Sequence, residues 1–293
     1  MGNVVSRRIC AMTISQLAVC CGIAILCSGV AYGESPFDPT SSRAAREEAI
    51  RSIPFDQLRA DTRSRISGVV KKPSIYRRLP VEAIYSDPDM YLFLVRYPEV
   101  IVNIWRIMGI TQCVTSRTGP YNLNGSDGMG TRCNIELVYG TPELHVIIAE
   151  GSYESGGGLL KRTIKGRCVI LLRTGYTQDG HQRSIVTNKM DMFIQMDNIG
   201  VDLLAKSFHS LVSKTADYNF TQSAQFIARL SDLSERNGPG VQRLAAKLKD
   251  VDPAVRARFA DLAGIANQRA VLRNANYQVR PNQPGLVQSS ANR

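Results

Sequence analysis

The sequence predicts an α+β domain in which a curved antiparallel sheet packs on a long C-terminal helix, with helical or disordered flanks. Residues 133–196 contain four runs with the alternation typical of strands, separated by turn residues rich in Gly and Pro. From Val201 to about Arg236, apolar residues recur instead at helical spacing. The change of period along the chain indicates one sheet followed by one long helix.

The N-terminus has the order of an export signal. Arg7 and Arg8 precede residues 9–30, which carry no charge, and small residues around Ala31 and Gly33 follow. This order predicts a signal peptide over residues 1–33 with cleavage after Gly33, and a periplasmic or secreted protein. An uncleaved N-terminal anchor is the alternative, because the uncharged stretch is long enough to span a bilayer.

Export leaves three cysteines in the mature chain: Cys113, Cys133 and Cys168. Cys113 and Cys133 flank a turn-rich segment and are the candidate disulfide pair in an oxidising compartment. Cys168 begins the apolar run CVILL, where a buried thiol needs no role beyond packing. Since the sequence has no CxxC and no Cys/His pair at ligand spacing, we expect no metal and no cofactor.

The basic excess of the chain, whose formal net charge is +11, belongs to its flanks. Residues 34–80 hold ten basic and six acidic side chains and predict a weakly ordered basic arm with one possible short helix. Residues 237–275 predict a short helical basic segment, with Asp252 and Pro253 opening a helix, and 276–293 predict a disordered tail. Such flanks can lie on an anionic membrane or cell-wall surface. For an exported protein we expect no nucleic-acid partner.

Residues 81–236 form the predicted core domain. It begins with an apolar helix from Pro98 to Gly109 and ends with the long helix. In the last strand before that helix, Met192 and its even-numbered neighbours share one face, and Asp191 shares the other with its odd-numbered neighbours. The acidic face is predicted to face water and the methionine-rich face to face the interior.

Catalytic motifs are missing from the sequence. It contains no GxSxG, HExxH or phosphate-binding loop. His145 or His209, with a nearby acid, could serve a hydrolase or cyclase, but a histidine on a strand or helix needs no catalytic role. We therefore predict no catalytic residue.

The order of elements resembles the helix-grip arrangement of START and polyketide-cyclase-like proteins. Short apolar helices over residues 91–108, a meander over 133–196 and the helix from Val201 carry the resemblance, which covers the central domain only. It implies a cavity between sheet and helix that holds a lipid or another apolar small molecule. The expected lining residues are Trp105, Tyr139, Met192, Ile194, Met196 and Phe208.

Three functions follow from these features. The first is an exported, non-enzymatic protein that binds an apolar ligand and whose basic flanks hold it near a membrane or wall surface. The second is a structural or interaction protein of the cell envelope that acts through those flanks. The third is the hydrolase or cyclase that uses a histidine and an acid.

Overall fold

The protein was analysed as a computed structural model. It describes residues 37–155, 162–197 and 206–279, without the side chains of 155, 162, 206–213 and 277–279. The predicted signal peptide and nearly all of the predicted tail lie outside the described residues.

Seven α-helices and eight strands follow one another along the described chain in the order α1–α2–β1–β2–α3–α4–β3 to β8–α5–α6–α7. The helices are α1 Arg43–Arg51, α2 Ala60–Lys71, α3 Pro88–Arg96, α4 Pro98–Ile107, α5 Lys206–Arg236, α6 Gly238–Ala246 and α7 Pro253–Val279. The strands are β1 Ile75–Arg78, β2 Glu82–Tyr85, β3 Val114–Gly119, β4 Asn122–Ser126, β5 Thr131–Gly140, β6 Leu144–Ser155, β7 Arg162–Gln178 and β8 Ser184–Met196.

All eight strands belong to one curved, unclosed sheet, which confirms the predicted α+β class. The strand order is β1-β8-β7-β6-β5-β4-β3, and β2 also pairs with β8 beyond β1. Every pairing is antiparallel, with β7 and β8 in register from Gly166 opposite Met196 to Gln178 opposite Ser184. The sheet is therefore a meander from β3 to β8, extended beyond β8 by two short strands from the N-terminal part of the chain.

Residues 34–80, predicted as a weakly ordered arm, are instead part of the packed fold from residue 37 onward. Helices α1 and α2 lie on one side of the sheet, and β1 pairs with β8. Their apolar side chains, including Ala49, Ile66 and Val70, are almost fully buried against the sheet. These residues are spread among many charges in the sequence. The two helices can still pack on the sheet, because their few apolar side chains lie together on one side of each helix.

Residues 237–275 were predicted as a helical segment outside the core domain, but their helices α6 and α7 complete the core. Val241 of α6 and Phe259 of α7 are fully buried in one cluster with residues of α3, α4 and α5. The Phe259 ring stacks on Phe93 of α3 with centroids 6.0 Å apart. Asp252 caps α7 as predicted, accepting a hydrogen bond of 2.8 Å from the Ala254 amide. The expected core boundary near residue 236 therefore falls inside one packed helical layer.

Helix α5 joins this layer to the sheet. It packs most extensively on α7, and it also contacts strand β2 of the sheet and helices α6 and α3. Arg77 of β1 forms a two-pronged ion pair with Asp217, and the Thr221 hydroxyl donates to the Glu82 carboxylate at 2.5 Å. The described part of α5 is thus anchored on the β1–β2 edge of the sheet.

The turn-rich segment between Cys113 and Cys133 contains a hairpin that the sequence did not predict. Strands β3 and β4 pair there and continue the sheet onto β5. Short polar residues and glycines make up most of both strands, so the alternation of apolar and polar residues is weak in the sequence. Pairing with β5 supplies the hydrogen bonds that hold them.

Candidate functional site

The two sides of the sheet differ in what covers them. We call the side that carries Asp191 and Phe193 the α1–α2 face, because these two helices pack on it. The other side, which carries Met192, Ile194 and Met196, is called the methionine face. The alternation predicted for β8 is therefore present.

The methionine face is half-buried and apolar over most of its area. Directly paired residues lie on the same side of a sheet, so the register extends this face from β8 across β7 and β6 to β5. Its partly exposed apolar residues include an adjoining group of eight: Ile135, Leu137, Ile147, Ala149, Cys168, Ile170, Met192 and Ile194. Further along the same strands, His145, Leu172 and Asn188 are buried where α3 packs. Eight adjoining apolar side chains thus keep contact with solvent.

The residues predicted to line one cavity lie in three places. Met192, Ile194 and Met196 are together on the methionine face. Tyr139 is on the opposite face, where its hydroxyl donates to Gln57 at 2.7 Å. Trp105 packs edge-on against Phe226 inside the helical layer, with ring centroids 5.4 Å apart. The side chain of Phe208 lies outside the described residues, as does that of His209.

The α1–α2 face holds a buried cluster of charged groups that was not predicted. Asp191 is fully buried, although the acidic side of β8 was expected to face water. Its carboxylate accepts hydrogen bonds from Tyr76 at 2.6 Å, Arg78 at 2.8 Å and Arg173 at 2.6 Å. Glu48 of α1 completes the cluster. The prediction of a wet face was wrong because α1 covers this part of the strand.

Glu48 fixes α1 to the sheet. Its carboxylate forms ion pairs with Arg78 and Arg173, each at 2.8 Å, and with Lys189 at 3.0 Å. Partial burial of the carboxyl opposes its ionisation, but the three cations outweigh burial and lower the pKa of Glu48 to about 2. The pKa of Tyr76 is raised, first by burial and then by its hydrogen bond to Asp191. Ionised Glu48 and neutral Tyr76 suit a structural clamp, since neither is poised for proton transfer near neutral pH.

His145 has the surroundings of a packed histidine. It is fully buried at the α3 end of the methionine face, and Arg96 donates to its Nε2 at 3.3 Å. Burial, with a contribution from the Arg96 charge, lowers its pKa to about 4. Its Nδ1 is buried without a hydrogen-bond partner among the described atoms. An imidazole that stays neutral and enclosed gives no support to the hydrolase or cyclase hypothesis.

Cys113, Cys133 and Cys168 are all free thiols in the structure, so the predicted disulfide between Cys113 and Cys133 is not formed. Burial raises the pKa of Cys133, and the charge of Asp127 and then Cys113 add to the increase. Burial also raises the pKa of Cys168, to about 12. Both thiols are held in the unreactive protonated form.

In the part of the chain that the structure describes, no group of three or more His, Cys, Asp or Glu side chains could hold a metal ion. Over the same residues, no helix combines the length and apolar character needed to cross a bilayer.

Comparisons with known proteins add little to this description. No protein-family model matches the sequence, and a search of curated proteins also finds no match. Among solved structures, the chain is similar to a conserved protein from Geobacillus kaustophilus, with 13% identity and a TM-score of 0.33. The match covers 51% of this chain and 93% of that one. So low a score carries no argument about fold or function.

Proposed function

We propose that the protein binds an apolar small molecule or lipid against the methionine face and performs no catalysis. The observation that carries the proposal is the partly exposed apolar surface of eight adjoining side chains on β5 to β8. An apolar surface of this kind on a soluble domain marks a binding site more often than a single exposed residue does. Met192 adds an unbranched, polarisable side chain that can adapt to ligands of different shape.

The proposal also includes export. A lipid carrier outside the cytoplasm agrees with the predicted cleavage after Gly33 and with the basic excess of the chain. N-terminal sequencing of the protein recovered from its host should then begin at Glu34. A protein recovered with residues 1–33 intact would support the alternative of an N-terminal anchor.

A lipid-uptake experiment tests the apolar site. The purified protein is extracted with organic solvent for mass spectrometry and is titrated with a fluorescent fatty acid. In the double variant M192Q/I194Q, two apolar side chains of the face become polar while their size changes little. Each lost apolar contact is worth about 1 kcal/mol, so we expect probe affinity to fall by roughly tenfold or more.

The matched control is I107Q/M108Q. Ile107 and Met108 are an exposed Ile–Met pair at the end of α4, and neither belongs to the strands that form the methionine face. This variant should bind the probe as the wild type does. Absence of any extracted apolar species together with absence of probe uptake would refute the proposal, and so would an equal loss of affinity in both double variants.

A basic surface on α6, α7 and the turn between them supports a second candidate function, an envelope protein that acts through its charges. Arg243, Lys247, Lys249 and Arg258 are exposed, and among the described residues none of them pairs with an acid. Such a surface is suited to an anionic membrane or wall polymer. Because α6 and α7 belong to the core, deleting residues 237–293 would unfold the layer. Charge removal at these four positions is the cleaner experiment.

Co-sedimentation separates the two candidates. With vesicles of phosphatidylglycerol and phosphatidylcholine, the fourfold Gln variant should lose most binding at low salt, since each cation near an anionic surface is worth about 1 kcal/mol. Its uptake of the fatty-acid probe should stay unchanged under the first candidate. Unchanged vesicle binding would refute the second candidate without affecting the first.

A further inference from the structure

The α1–α2 face continues past the two helices into an open cleft. The cleft has a volume of about 580 Å³ and spans β3 to β7 at the end of the sheet remote from α1. That volume lies in the range of small-molecule sites. Most of its side chains come from two cross-strand rows, Val114–Ser126–Arg132–Ser152–Lys165 and Ser116–Asn124–Asn134–Glu150.

The backbone forms the floor of this cleft. Gly125 and Gly151 lie beneath the two rows, and β5 and β6 approach each other closely there. A Cβ at Gly151 would come within 2.4 Å of the Arg132 carbonyl oxygen, so the position accepts only glycine without a shift of the strands. The close pairing of β5 and β6 beside Arg132 therefore requires glycine at position 151.

The acid of the cleft is paired with a cation, whereas its two cations are unpaired within the part of the chain that the structure describes. Glu150 is occupied by Arg65 of α2, which donates to it at 3.3 Å and to Glu136 at 2.7 Å. Arg132 and Lys165 are exposed, and neither has an ion-pair or hydrogen-bond partner for its side chain in the described ranges. They lie two strands apart in one row, which separates their Cα atoms by about 10 Å. With Glu150 engaged elsewhere, the open positions of the cleft are cationic.

We propose that this cleft binds a small hydroxylated anion, with its phosphate or carboxylate held by Arg132 and Lys165. The serine hydroxyls and asparagine amides of the two rows supply donors and acceptors for the hydroxyl groups of the ligand. The described lining has no aromatic side chain, so it offers no platform for stacked bases and does not suit a polynucleotide. This site is independent of the proposed apolar site, which lies on the other face of the sheet.

A second cleft, lined by α3, α7 and the β7–β8 turn, does not share this feature. Its cations Arg269 and Arg273 are already paired, the first with Asp87 and Asp89 and the second with Glu235. These ion pairs hold the helices together, so neither arginine is left free to bind an anionic ligand.

Calorimetric titration with glucose 6-phosphate, glucose and inorganic phosphate tests the proposal. The full protein should bind glucose 6-phosphate saturably at low salt and should bind both glucose and inorganic phosphate more weakly. The variant R132Q/K165Q should lose affinity by roughly tenfold or more, because it removes two charge-assisted contacts. Neither side chain has a described partner, so folding should be unaffected, which thermal melting checks.

The control R243Q/K247Q removes the same charge from the distant surface of α6. It should bind glucose 6-phosphate as the wild type does. No saturable binding at millimolar concentration, or the same loss in both double variants, would overturn the proposal. Equal affinity for inorganic phosphate and glucose 6-phosphate would overturn recognition of the hydroxyl groups. Loss of probe uptake on the methionine face, without loss of anion binding, would count against the proposed function alone.

Discussion

Removing the carboxylate of Asp191 should destabilise the protein severely. Asp191 is fully buried and accepts hydrogen bonds from Tyr76, Arg78 and Arg173 within 2.9 Å. In D191A the Arg78 guanidinium, whose side chain is 7% exposed, keeps only the partly exposed Glu48 as a counter-ion. Breaking a buried pair by removing one partner costs about 3–5 kcal/mol, because a buried charge is left uncompensated. We expect a loss of this size.

Urea denaturation at pH 7 measures the change. The control is D232A, which removes the acid of an exposed pair with Arg236 on α5 and should cost about 0.5 kcal/mol or less. If D191A does not fold, Y76F removes one hydrogen bond to the same carboxylate and should cost about 1–2 kcal/mol. A loss below about 1 kcal/mol in D191A, or no loss in Y76F, would refute the view that this cluster fixes the N-terminal helices to the sheet.

Three further outcomes are expected. The pKa of His145 falls from 6.5 to about 4 on folding, so the unfolded chain binds more protons between these pH values and stability decreases as pH falls. From pH 7 to pH 5, the free energy of unfolding measured in urea should fall by about 2 kcal/mol more in the wild type than in H145Q. Equal losses would contradict the lowered pKa. F259A should cost about 3–5 kcal/mol, whereas V271A on the exposed side of α7 should stay within about 0.5 kcal/mol. With iodoacetamide at pH 8, Cys168 should be alkylated about a hundredfold or more slowly in the folded protein than in urea, because a pKa raised to about 12 leaves little of the reactive thiolate. Peptide mass spectrometry measures the two rates, and similar rates would contradict the raised pKa.

The local patterns of the sequence predicted local structure well. The alternation around Met192 assigned the two faces of β8 correctly, and the Asp252-Pro253 pair marked the start of α7. Both features depend on neighbours within a few residues, where period and capping chemistry decide the outcome. The candidate site was predicted only in part. Tyr139 and Trp105 are aromatic residues that suit a cavity by composition, but they pack in separate clusters.

The charged cluster on the α1–α2 face shows why the remainder could not be predicted. Glu48, Arg78, Arg173 and Asp191 are distant in sequence, and each alone resembles a solvated surface residue. One signal was present: Lys189 and Asp191 alternate in phase with Phe193, which placed two charges on the same side as a large aromatic residue. A strand side that carries both kinds of residue can be either wet or covered. Only knowledge of what packs on it decides between them.

The sequence by itself determined an α+β chain with an antiparallel meander, a long helix after it and a methionine-rich strand face, because hydrophobic period and turn chemistry are local properties. The tertiary structure decided that the basic flanks are integral to the fold from residue 37 to the end of α7, since α1, α2, α6 and α7 bury their apolar sides against partners far away in the chain. It also decided which side of β8 faces solvent. That outcome depends on α1, whose contact with the strand joins residues more than a hundred positions apart, and no local pattern encodes such a contact.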